Sequence, residues 1–120
     1  LHAFLDTDLE LYHEGGEHWM NYAAFCARVS NTPEGAELMD VHFDPVVLKL
    51  VSILKRALPD YAEEDIFWGY HFVTGSLMNT LARTGRIDRL SGGVCRSDDF
   101  PAVKKRIARF MAAGFLALKD

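Results

Sequence analysis

The residues best suited by type to do chemistry in this 120-residue chain are its five histidines and two cysteines. His13, Glu14 and His18 fall in the run His-Glu-Gly-Gly-Glu-His. A helical zinc site of the HExxH kind needs two histidines four residues apart on one face, with the glutamate between them. Here a Gly-Gly break separates the histidines and the spacing is wrong, so the run reads as a solvated turn with no metal. Cys26 stands in an apolar segment, where a thiol behaves as a small hydrophobe. Cys95 stands beside Arg96 in a glycine-containing stretch and is the more exposed of the two. Neither cysteine belongs to a CxxC or Cys/His array, which points to a reduced, cytoplasmic protein. His42 precedes Asp44-Pro45, and His71 lies among aromatics. Each is open to two readings, a hydrogen-bonded core or subunit-boundary histidine, or a polar anchor in a ligand pocket. The chain has no nucleophile elbow, P-loop or dinucleotide fingerprint, and Gly92-Gly93 lacks the strand and helix that a phosphate loop requires. The expectation is a protein with no catalytic residues and no cofactor, and not an enzyme.

The composition suits one domain with a real core. No apolar run approaches the roughly 18 uncharged residues of a membrane span. The opening segment carries acids within its apolar pattern, unlike a secretion signal. The net charge of −4 is uneven. Residues 1–44 hold nine acids against Arg28 alone, and residues 85–120 hold eight bases against four acids. An acidic half argues against these residues gripping a phosphate backbone by themselves.

Helical spacing positions these residues. Leu1, Phe4, Leu5, Leu9 and Tyr12 form a stripe over residues 1–13, and Gly15-Gly16 stops it. The chain starts without Met and within a helical pattern, so it reads as the C-terminal piece of a longer protein. A second helix spans 17–30, with Trp19, Tyr22, Phe25, Cys26 and Val29 on its buried face. Thr32 as N-cap and Pro33 at the first helical position start a third helix that ends near His42. A new axis, or a kink, begins at Pro45. The segment 45–58 could be a strand by composition, but its i, i+4 pattern (Val46, Leu50, Leu54) favours helix. Pro59 ends it, and Asp60 with Glu63 has capping-box spacing for the next.

That next helix, 62–84, organises the chain. Ile66, Tyr70, Val73, Leu77 and Leu81 form one face. Phe67, His71, Thr74, Gly75, Met78 and Ala82 form another, with Trp68 and Phe72 between. A helix apolar nearly all round must be covered on more than one side. The chain covers one side, and a second copy is the simplest cover for the other. Gly85 ends the helix, 86–97 reads as an irregular loop, and Asp98-Asp99 starts a last helix to about 118. Its stripe is Val103, Ile107, Phe110, Met111, Gly114 and Leu118. The architecture is all-α, about six helices in an antiparallel, bundle-like arrangement.

Bulky side chains recur on three stretches: Trp19, Tyr22, Phe25; Met39, Phe43; and Phe67, Trp68, His71, Phe72, Met78. They are either plain core or the lining of a largely apolar cavity of the small-molecule kind, with His42, His71, Asn79 and Arg28 as polar ends. A self-contained helical carrier protein is the alternative such a cavity leaves open.

The runs HWMNYAAFCARVSNTPE (18–34), LMDVHFDPVVLKLVSILKRALPD (38–60) and AEEDIFWGYHFVTGSLMNTLARTGRI (62–87) resemble the C-terminal ligand-binding domain of TetR/AcrR-type transcriptional regulators. The resemblance spans essentially the whole chain. It implies that 1–13 is the end of a helix connecting to an N-terminal helix-turn-helix domain absent from this chain, and that 14–120 is the effector-binding and dimerisation domain of a repressor released by a small lipophilic ligand. DNA would be contacted only through the N-terminal domain, and no membrane is involved. The pocket for a small apolar or aromatic effector would be lined by Trp19, Tyr22, Phe25, Cys26, Met39, Phe43, Val46, Leu50, His71, Phe72, Gly75 and Met78. The last two long helices would pair with their mates in a homodimer, through Tyr70, Val73, Leu77, Leu81, Ile107, Phe110, Met111, Gly114 and Leu118. Small Gly75, Ser76, Ala112, Ala113 and Gly114 would allow those helices to approach closely.

Overall fold

The computed structural model of the chain describes Glu10 and residues 14–119, and the stripe expected over 1–13 otherwise lies outside the described residues. The described residues are helical, without strands. In chain order the helices are α1 (Gly16–Ser30), α2 (Pro33–His42), α3 (Asp44–Ala57), α4 (Glu63–Leu81), α5 (Arg86–Leu90) and α6 (Phe100–Ala117).

The starts and stops follow local chemistry. Gly16 opens α1 at a φ of +79°, a left-handed conformation that turns the chain there. Thr32 Oγ1 accepts from the Gly35 amide at 3.0 Å, and Pro33 fills the first turn of α2. Pro45 lies in the first turn of α3. Asp99 Oδ1 accepts from the Ala102 amide at 3.1 Å and opens α6. The capping box expected at Asp60 and Glu63 does not form. Ala62 is the N-cap of α4, with no side-chain bond. Glu63 instead pairs with Lys55 of α3, and Asp60 with Lys119 at 3.5 Å.

α4 is central, packing against α1, α3 and α6. Its face Ile66, Val73, Leu77 and Leu81 is buried against Ala23 and Ala27 of α1, Val51 of α3, and Phe100, Ile107, Met111 and Phe115 of α6. The α1 face expected to be buried is turned outward. Ala23, Ala24 and Ala27 face inward, whereas Trp19, Tyr22 and Phe25 are 43%, 53% and 63% exposed. Cys26 is exposed too. The reason is steric: alanines let two helix backbones come close, and a seam of Trp, Tyr and Phe would hold them apart. Two arginines then fasten α1 to the end of α4. Arg28 donates to the Ala82 carbonyl at 2.9 Å, capping the helix C-terminus, and Arg83 donates to Asn21 Oδ1 at 2.9 Å.

α4 stops at Leu81, earlier than Gly85 suggests, because Arg83 already adopts a left-handed φ of 45°. Residues 86–97, expected to be irregular, begin with the short helix α5. Gly85, left-handed at 77°, reverses the chain into it. A knot of hydrogen bonds closes the turn between α5 and α6. The Asp88 carbonyl accepts from Gly93 N at 2.9 Å, Asp88 Oδ2 from Ser97 N at 3.0 Å, and Ser91 Oγ from Cys95 N at 2.9 Å.

α6 is also rotated from its expected stripe. Phe100, Ile107, Ala108, Met111 and Phe115 are buried, while Phe110 is 73% exposed and Gly114 faces outward. Gly69 sets the α4–α6 crossing. A Cβ there would lie 2.3 Å from the Phe115 ring, so only glycine lets the ring lie against α4.

Candidate functional site

Among the described residues, no group of three or more His, Cys, Asp or Glu side chains is arranged to hold a metal ion. What the helices position instead is apolar and aromatic surface, on three faces.

The first face is on α1. Trp19 and Tyr22 meet edge to face, ring centroids 5.9 Å apart, with His18 against Trp19 at 6.2 Å. One turn further on, a hydrogen bond between Tyr22 and the Cys26 side chain raises the Tyr22 pKa above its ordinary value. The second face is on α4. Trp68 stacks on Phe72 at 5.8 Å and meets His71 edge-on at 5.7 Å, all three exposed. Beside them, the Lys55 ammonium sits 5.5 Å from the centre of the Phe67 ring.

The third face is a pair of grooves between α4 and α6. One, of about 360 Å³, runs past Gly69, Phe72, Ser76, Phe110, Gly114 and Leu118. The other, of about 350 Å³, runs past Ser76, Asn79, Thr80, Arg106, Ile107 and Phe110. Phe110 stands between them and contributes to both.

The residues expected to line a pocket fall into different surroundings. Trp19, Tyr22, Phe25 and Cys26 share the open face of α1. Met39 and Leu50 are half-buried, and Phe43 and Val46 are exposed on α2–α3. His71 belongs to the exposed cluster on α4, and Phe72 faces the α4–α6 groove. Gly75 is exposed, with nothing within 4 Å of where a Cβ would stand. Met78 is half-buried and accepts a hydrogen bond from Ser30 Oγ at 3.6 Å. Of the polar ends, Arg28 is committed to Ala82, and Asn79 lines the second groove.

The residues expected at a subunit interface divide in two. Val73, Leu77, Leu81, Ile107 and Met111 belong to the buried core of the single chain, with Val73 and Met111 also edging the first groove and Ile107 and Met111 the second. Tyr70 is half-buried, and burial raises its pKa, with a hydrogen bond to Thr74 working the other way. Phe110, Gly114 and Leu118 line the open groove. Sequence reasoning missed Gly69 and Phe115, which shape this groove. The signal was a lone glycine between Trp68 and Tyr70, and the i, i+4 step from Ile107 through Met111 to Phe115.

This arrangement defines a class: an all-α bundle whose side chains of interest spread over open apolar faces, suited to binding and assembly. The chain belongs to the tetracyclin repressor-like C-terminal domain family, whose model matches residues 2–114. Domains of this family serve regulators as effector-binding and dimerisation units. No curated protein and no solved structure matches the chain. No helix among the described residues is long and apolar enough to cross a membrane.

Proposed function

We propose that this domain senses a small lipophilic effector for a DNA-binding repressor, and that it works as a homodimer. The carrying observation is that a domain with an ordinary core leaves three apolar faces open, two of which suit different partners. The aromatic face of α1 suits an apolar or aromatic ligand. The α4–α6 groove suits a second copy. Phe110 projects beside a trough floored by Gly114 and Ser76, so two copies related by a twofold axis each offer a knob and a hole. Burying Phe110 and Phe72 would contribute about 1.5–3 kcal/mol per ring. DNA contact belongs, in this reading, to a separate helix-turn-helix domain of the full-length regulator. The effector favours one arrangement of α1–α3, and that arrangement changes the separation of the two DNA-binding domains.

Three measurements test this. Light scattering across a dilution series is expected to give twice the chain mass of 13.5 kDa. A stable monomer would remove the homodimer. Titration of lipophilic and polar probes against Trp19 fluorescence, in a Trp68→Phe background, is expected to show quenching by the lipophilic set alone. An effector that binds without altering operator affinity of the full-length regulator would overturn the release mechanism.

A further inference from the structure

The two shortest exposed helices carry the same side-chain pattern with opposite charge. On α2, Glu34, Glu37, Leu38 and Val41 follow at i, i+3, i+4 and i+7, so they share one helical face. That face is open to solvent: Leu38 is 58% and Val41 72% exposed, and both glutamates are exposed. On α5, Arg86, Arg89 and Leu90 follow at i, i+3 and i+4. Leu90 is 69% exposed, and Ile87 and Val94 extend the apolar patch beside it. Among the described residues, no salt bridge engages Glu34, Glu37, Arg86 or Arg89. The α5 patch is held rigid from behind. Asp88, on the opposite side of the helix, takes the Ser97 amide, and Ser91 takes Cys95. α2 and α5 are not among the helix pairs that pack within one chain.

We propose that the acidic, aliphatic face of α2 docks on the basic, aliphatic face of α5 from another copy of this chain. The occupant is identified by complementarity. Each helix offers two like charges and a leucine at matching spacing, and the partner's charges are opposite. Such a contact joins two different patches and is separate from the α4–α6 groove, so it links assemblies rather than forming the dimer. The patches are small, so the contact is weak and salt-sensitive, and operates where copies are brought side by side.

The test is sedimentation velocity of the chain at high concentration, in low and in high salt. Species larger than the assembly that survives dilution are expected in low salt and are lost in high salt. A variant carrying Arg86→Glu and Arg89→Glu loses them, and so does one carrying Glu34→Arg and Glu37→Arg. An equimolar mixture of the two variants regains them, because each reversed face then meets an opposite charge. Circular dichroism confirms that both variants fold, and Leu90→Asn, which leaves the charges in place, is expected to lose the same species. Larger species that persist in both reversed variants, their absence from the unaltered chain, or a mixture that stays unassociated would each overturn the proposal. A dimer that persists in all the variants belongs to the α4–α6 groove and leaves the proposal to stand or fall on the larger species alone.

Discussion

Single atoms decide the fate of glycines in α4. At Gly69 an added methyl would lie 2.3 Å from the Phe115 ring, which is itself buried and would have to shift. Gly69→Ala is therefore expected to destabilise the domain by about 1–3 kcal/mol through overpacking. At Gly75 the same methyl meets nothing within 4 Å, in a helix interior. Gly75→Ala is expected to stabilise by about 0.5–1 kcal/mol, because alanine loses less backbone entropy. Urea unfolding of the two variants checks both signs in one experiment. Leu77 is fully enclosed in the core. Leu77→Ala is expected to cost about 2–5 kcal/mol, from lost burial plus the cavity left behind, read from the same midpoints.

At the scale of elements, the turn between α5 and α6 is a unit held by Asp88. Partial burial works to raise the Asp88 pKa, but hydrogen bonds from Ser97, with Arg96 nearby, outweigh it and hold the carboxyl below its ordinary value of 3.8. A carboxylate depressed in the folded state contributes stability that is complete above its ordinary value and lost as pH falls through the folded one. Hydrogen exchange at the Ser97 amide is expected to be protected at neutral pH and to lose protection as the solution is taken below pH 3.8. In Asp88→Ala that protection is absent at every pH. The start of α2 rests on Thr32, whose hydroxyl accepts from Gly35 N. Removing that cap with Thr32→Ala is expected to cost about 0.5–2 kcal/mol in thermal or chemical unfolding.

At the scale of the whole molecule, the proposed homodimer makes a prediction about the face that meets a second copy. Gly114 lines the α4–α6 groove and has open space around it within one chain. Gly114→Arg should therefore fold normally as a single chain. In a dimer built on this groove it would bury an unpaired charge, so its mass by light scattering is expected to fall to that of the monomer. A variant that stays dimeric would place the interface elsewhere. The variant is informative because no contact within the chain competes for the effect.

The helices α1, α2, α3, α4 and α6, their starts and the centrality of α4 were legible in the sequence, because they depend on neighbours along the chain, whereas the short α5 was not. Thr32-Pro33, Pro45 and Asp99 act through backbone groups within one turn, and the Ile66–Val73–Leu77–Leu81 face follows from helical period alone. The family was legible for the same reason, since its pattern is carried by these runs. The sequence did not determine which of two apolar faces turns inward. On α1 both an alanine face and an aromatic face can be buried, and hydrophobicity alone favours the aromatics. The tertiary structure chose the alanines, because closeness of approach to α4 is a property of two helices together. On α6 the fit of Phe115 against Gly69 rotated the helix and left Phe110 outside. The faces left open by those choices are the ones on which the proposed binding and assembly depend, and only packing could decide them.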